Sequence, residues 1–156
     1  MSLPAAVNFI LQQEGSELVQ NPGLSRYGID LSRHPELTAA DIQNMTPTRA
    51  AIIYSGPQYA GAIHFEQLPP GIQLPMLDAC VNQGPTAAIR CLQAALYVTV
   101  DGVLGPQTLT AAQDADAHTL LARFTAQRVL AYTRDSTFAQ DGAGWINRAV
   151  LAALEA

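Results

Sequence analysis

Charge is scarce in this sequence. Charged residues make up 13% of the 156 positions, against 49% hydrophobic. That balance excludes an intrinsically disordered chain, which combines high charge with little apolar content. Basic residues are the rarer kind, 8 against 13 acidic, for a net charge of −5. Such a surface gives no electrostatic grip on nucleic acid or on an anionic membrane. Cysteine is nearly absent, with only Cys80 and Cys91. On one unbroken helix these two would lie about 16 Å apart, too far to bridge. Gly84-Pro85 can break such a helix, so a bridge stays open beside the simpler reading of two buried thiols. His34, His64 and His118 are scattered, so no metal-spaced cluster forms and neither a metal nor a cofactor is expected. No apolar run reaches the roughly 18 residues of a membrane span, and no charged-then-apolar leader opens the chain. Membrane insertion and a signal peptide are therefore not expected.

Strand signals are also sparse, while helix signals recur with their caps. Ser2 and Pro4 open a first helix striped by Leu3, Val7, Ile10 and Leu11. Thr38 and Asp41 have the spacing of a capping box, and Thr46-Pro47 starts a further helix through Ile53 and Tyr54. After Leu68-Pro69-Pro70 comes a helix carrying Leu74, Leu77, Ala79 and Val81. Gly84-Pro85 ends it and starts another with Ala88, Ile89, Leu92, Ala95 and Leu96 on one face. Asp116 can cap a long helix with Leu120, Leu121, Phe124, Val129 and Leu130, and a final helix spans Trp145 to Leu154. Irregular pieces fall around 15–36, 62–71 and 97–106. In the last of these, Asp101-Gly102 and Gly105-Pro106 mark a turn, either a plain connector or a ligand contact. The expected fold is all-α, in a single domain over 1–156.

Within this frame Glu14 stands out. It continues the spacing of Leu3, Val7 and Ile10 or Leu11, so it falls on the apolar face of its helix, and Gly15 behind it suits a helix end. Burial and the negative helix terminus both disfavour a carboxylate there. An acid kept protonated is what protonation of a glycosidic oxygen requires. A helix-terminal glutamate curling into water fits the same spacing, and periodicity does not choose between them.

The surrounding motifs carry a resemblance. "ILQQEG" followed by "NPGLSRYGID" resembles the N-terminal signature of the N-acetylmuramidases of glycoside hydrolase family 108. The order continues through "LTAADIQNMTPTRAAIIY", "FEQLP", "LDACVNQGPTAAIRCLQAAL", "VDGVLGPQT" and "GWINR". The later part is similar to the peptidoglycan-binding segment that accompanies this signature. The resemblance implies a lysozyme-like helical fold, with a catalytic-signature portion at 1–70 and a peptidoglycan-binding-like helical portion at 71–156 packed on it. It implies Glu14 as the catalytic acid, cleaving the β-1,4 bond between N-acetylmuramic acid and N-acetylglucosamine without metal or cofactor. The chain departs from the family pattern at Ser16 (a second glycine), Asn21 (an aspartate), Ser25 (a threonine) and Asp30 (a threonine).

Those departures leave the second carboxyl of a glycosidase open. Glu17 and Asp30 are the candidates, and Ser25 is expected to hold a water. Tyr27 and Tyr54 could stack on sugars or equally pack in the core. Asp78 and Asn82 share a helix face at i and i+4, and with Gln83 they could face a cleft or serve a turn. Gln93 is either solvated or an inter-helix hydrogen bonder, and Trp145 anchors the last helix. The reading is a monomeric peptidoglycan hydrolase whose partners are glycan strands and not nucleic acid. It would be made in the cytoplasm and act in the periplasm or at the wall after holin- or secretion-dependent delivery, as an endolysin or an antibacterial effector with a cognate immunity protein. The rival is a peptidoglycan-binding module without catalysis.

Overall fold

The computed structural model describes residues 1–20 and 23–156, so the Asn21 position lies outside the described residues. Among the described residues eight α-helices carry most of the chain: α1 (Leu3–Glu14), α2 (Ala39–Gln43), α3 (Pro47–Tyr54), α4 (Pro70–Gln83), α5 (Pro85–Leu96), α6 (Pro106–Asp114), α7 (Ala117–Tyr132) and α8 (Phe138–Leu154). Helix accounts for 62% of residues. The expectation of an all-α fold needs one correction. Leu18–Val19 (β1), Ser25–Arg26 (β2) and Ile29–Asp30 (β3) form a three-stranded antiparallel sheet inside the segment read as irregular. Two-residue strands are too short for alternation to appear in a sequence.

The caps form where the sequence places them, with one exception. Thr38 and Asp41 exchange both bonds of a capping box. The Thr46 hydroxyl accepts from Arg49 N–H, and Asp116 accepts from Thr119 N–H. Ser2 makes no side-chain cap; Pro4 in the first turn does the starting instead. The last helix begins at Phe138, well before Trp145, because Thr137 and Asp135 close the preceding turn on themselves.

α4 is the axle of the molecule. It packs against α1, α5, α7 and α8, and every residue from Ile72 to Val81 is buried. A helix surrounded on all sides needs no polar face, which is why α4 reads as apolar all round. Its one buried carboxylate, Asp78, is exceptional for that reason. The continuous core runs from Ala6, Val7 and Ile10 of α1 through Leu74 and Leu77 of α4 to Phe124 of α7 and Ala152 of α8. Cys80 and Cys91 are both buried and free. Burial pushes the Cys80 thiol up to about 12.

Candidate active site

α1 ends at Glu14 because Gly15 takes φ +70°, a conformation open to glycine, while its N–H still reaches Leu11 O. The chain then turns into the small sheet. β2 pairs with β3 in the register Ser25↔Asp30 and Arg26↔Ile29, so Tyr27 and Gly28 make a two-residue hairpin turn. Both have positive φ, 52° and 73°, the pattern of a type I′ turn. Three contacts fix this hairpin. Arg26 donates to Ser16 O and Gln43 O, at 3.2 and 2.8 Å. The Tyr54 hydroxyl donates to Tyr27 O at 2.7 Å.

The turn lies against the Glu14 carboxyl. A β-carbon built on Gly28 would stand 2.5 Å from Cδ and Oε2 of Glu14 and 2.5 Å from the Tyr54 hydroxyl. The side chain of Glu14 is 18% exposed, neither wet nor sealed. Its Oε1 accepts from Nη1 of Arg148 on α8 at 2.7 Å, across 134 residues of chain. Nε of the same arginine donates to Asp78 Oδ1 at 2.7 Å. Asp78 gives its other oxygen to Arg128 of α7, also at 2.7 Å. Arg128 then donates to the Tyr132 hydroxyl and to Gln83 Oε1, and Tyr132 donates to Asn82 Oδ1 at 2.8 Å. One chain of polar contacts therefore runs from Glu14 to the end of α4.

Charge balances along it: Glu14 and Asp78 alternate with Arg148 and Arg128. Burial works against the Arg148 charge, yet Asp78 and then Glu14 outweigh it and hold the guanidinium more firmly protonated than usual. Tyr54 moves the other way for a phenol, raised first by burial and then by the negative charge of Glu14. Asp30 is held below the usual carboxylate range by the Ser32 hydroxyl, which donates to Oδ1 at 2.6 Å.

The expected site residues fall into three groups. Ser25 and Asp30 are cross-strand partners, so their side chains share one face of the sheet. Tyr27 is half-buried beside Arg26, whose guanidinium lies 5.6 Å from its ring centroid. Asn82 and Gln83 line a cavity of about 510 Å³ with Arg33, Tyr132, Asp135 and Trp145. Trp145, the expected anchor, packs on Tyr132 with centroids 5.4 Å apart. Tyr54 corrects the stacking expectation, since it is fully buried, edge-on to Tyr59, and clamps the hairpin. Asp78 is likewise fully buried with both oxygens bound to arginine, so it reaches Glu14 through Arg148 and offers no surface to a sugar. Glu17 is exposed.

Gln93 belongs to the connector and not to this site. It is buried, its amide donates to Asp101 Oδ1 and Val103 O, and its oxygen accepts from Gly102 N–H. A larger cavity of about 600 Å³ lies between α1 and α3, but no ionisable side chain lines it. Among the described residues no group of three His, Cys, Asp or Glu could hold a metal, and no helix is long and apolar enough to cross a membrane.

The spacing motifs of the sequence do not single out the two arginines. Arg128 carried a usable signal: Leu120, Phe124, Arg128 and Tyr132 recur every fourth residue and all are buried. An arginine on an apolar stripe needs a buried carboxylate. Arg148 had no such signal beyond its place in "GWINR".

Comparison with known proteins adds the family. No curated protein matches the chain. Among solved structures, one titled "Structure of Brucella abortus SagA" is similar over 98% of this chain and 92% of its own, at 25% identity and a TM-score of 0.88. The model described as "Predicted Peptidoglycan domain" matches residues 87–150, which supports peptidoglycan as the polymer. The model described as "Glycosyl hydrolase 108" matches residues 7–84, half of the chain, and takes in Glu14, the hairpin and Asp78. The chain therefore belongs to the Glycosyl hydrolase 108 family, and by family it is a glycoside hydrolase of peptidoglycan.

Proposed function

We propose that the protein is an N-acetylmuramidase that cleaves the β-1,4 bond between N-acetylmuramic acid and N-acetylglucosamine, with Glu14 as general acid. One observation carries this reading: the partly buried Glu14 carboxyl, fixed at a helix end between Arg148 and the Gly28 turn, in the segment that matches the hydrolase model. A carboxyl held this firmly, yet 18% exposed, can meet a glycosidic oxygen without first being ordered.

In this reading Glu14 acts in its protonated form: Arg148 holds Oε1, Oε2 carries the proton and gives it to the leaving oxygen, and the sugar develops oxocarbenium character. A water on the sheet face beside Ser25 attacks the sugar carbon from the opposite side, and its proton passes to the second carboxyl. Asp30 is the better of the two candidates for the second carboxyl. It shares a face with Ser25, and its hydrogen bonds from Ser32 favour the charged form, which suits a base or a charge stabiliser. The glycan would cross the hairpin toward Asn82 and Gln83, whose cavity offers amides, Arg33 and the Trp145 ring. Delivery to the wall by a holin or a secretion machine belongs to the same proposal.

The test is clearing of purified sacculi by wild type and by Glu14→Gln, with masses of the released muropeptides. Reducing ends that fall to a small residual rate with Glu14→Gln are expected. Clearing unchanged by the substitution, or binding to sacculi without any clearing by wild type, sinks the reading; anhydro-sugars would replace hydrolysis by transglycosylation.

A further inference from the structure

Arg148 is held at two points by two different carboxylates. Its Nε meets Asp78 Oδ1 and its Nη1 meets Glu14 Oε1, each at 2.7 Å, while Nη2 is buried without a hydrogen-bond partner. A guanidinium is a rigid planar fork, so a grip at two of its nitrogens fixes its plane. Asp78 cannot yield, because it is fully buried in α4 and Arg128 holds its other oxygen. Arg148 therefore presents Nη1 to Glu14 from a fixed frame anchored in the core.

The effect on Glu14 is directional. Oε1 is taken by the arginine, and Oε2 is the oxygen turned toward Gly28. A carboxyl on a three-bond side chain at a helix terminus would otherwise sample several rotamers. Arg148 comes from the segment that matches the peptidoglycan-domain model, whereas Glu14 lies in the hydrolase match.

We propose that Arg148 is a positioning residue for Glu14, pinned by Asp78, so that the C-terminal segment completes the catalytic site as well as contacting the wall. This rests on the reading of Glu14 as the acid. Arg148 binds no sugar in this role. It fixes which carboxyl oxygen meets the glycosidic bond.

The experiment measures kcat and KM on solubilised glycan strands, together with sacculus binding and thermal melting, for Arg148→Gln, Arg148→Lys, Glu14→Gln and the double variant Glu14→Gln/Arg148→Gln. Arg148→Gln should lower kcat by about 100-fold, the scale of a misplaced reacting group, with KM and binding within twofold. Arg148→Lys keeps the charge but cannot span both carboxylates, so it should recover about tenfold of that loss. On the Glu14→Gln background, Arg148→Gln should cost nothing further, because a residue acting through Glu14 has nothing left to position. A folded Arg148→Lys with wild-type kcat overturns the inference, as does an added loss in the double variant. If Arg148→Gln does not fold, Arg148→Lys still decides. A fully active Glu14→Gln would instead remove the reading beneath it, which separates the two failures.

Discussion

Gly28 and Glu14 are in contact: the α-carbon of the glycine faces the carboxyl so closely that no β-carbon fits between them. The hairpin turn is therefore one wall of the acid's socket. Gly28→Ala must move either the turn, which sits at φ +73°, or the carboxyl, which is the softer of the two. Activity should fall further than stability. We expect clearing of sacculi to drop by about 100-fold and stability by about 1–3 kcal/mol for an alanine forced to positive φ. Turbidity assays and urea denaturation on the same preparation check this. Full activity with a lowered melting point would show that the carboxyl never depended on the turn.

Asp78 is the one buried carboxylate among the described residues. Its side chain is fully buried and neutralises Arg128, itself 1% exposed, as well as one edge of Arg148. Asp78→Asn leaves the buried Arg128 with no charged partner and Arg148 with Glu14 alone, and removing one member of a buried pair costs about 3–5 kcal/mol. Urea denaturation of Asp78→Asn should show that loss. A midpoint matching wild type would mean that water reaches the arginines.

The two cysteines should be silent. Burial raises both thiols, Cys80 to about 12, and only the thiolate reacts with alkylating agents. Native protein at pH 8 should take up no iodoacetamide over hours, while protein in urea should gain two labels by mass. Labelling of the native form at the unfolded rate would contradict the packing around α4 and α5.

A pH signature belongs to the capping box at α2. Hydrogen bonds from the Thr38 hydroxyl and backbone, then from Arg49, hold Asp41 down at about 2, below its ordinary 3.8. A depressed carboxylate stabilises the fold above its unfolded value, and that contribution disappears as pH falls through the folded one. The stability difference between wild type and Asp41→Asn should be constant above pH 5 and shrink between about pH 4 and pH 2. Melting temperatures across that range measure it. A difference that grows on acidification would reverse the sign and refute the assignment.

Much of the helical frame was legible because its signals are local. Thr38 and Asp41, Thr46-Pro47, Asp116 and Gly84-Pro85 each act within a few residues, and each marks a helix boundary in the structure. The sheet was not legible, since its order comes from a two-residue turn and from clamps supplied by Tyr54 and Arg26. Glu14 showed itself by breaking an apolar stripe. Its neighbour Arg148 could not, because the contact spans 134 residues and nothing in the nearby spacing announces it. The helix face that Asp78 shares with Asn82 is visible in the spacing, but that it turns inward is not, because α7 and α8 are what cover α4 there.

The charged thread through α1, α4, α7 and α8 also bears on how such a chain can be recombined. The two matched segments meet near Gly84, a tempting place to join halves from different relatives. Asp78 lies on one side of that seam, Arg128 and Arg148 on the other. A chimera joined there inherits a lock from one parent and its keys from the other. Unless both parents place a carboxylate and two guanidiniums at these depths, the hybrid buries an unmatched charge, and the halves are heritable only as a pair.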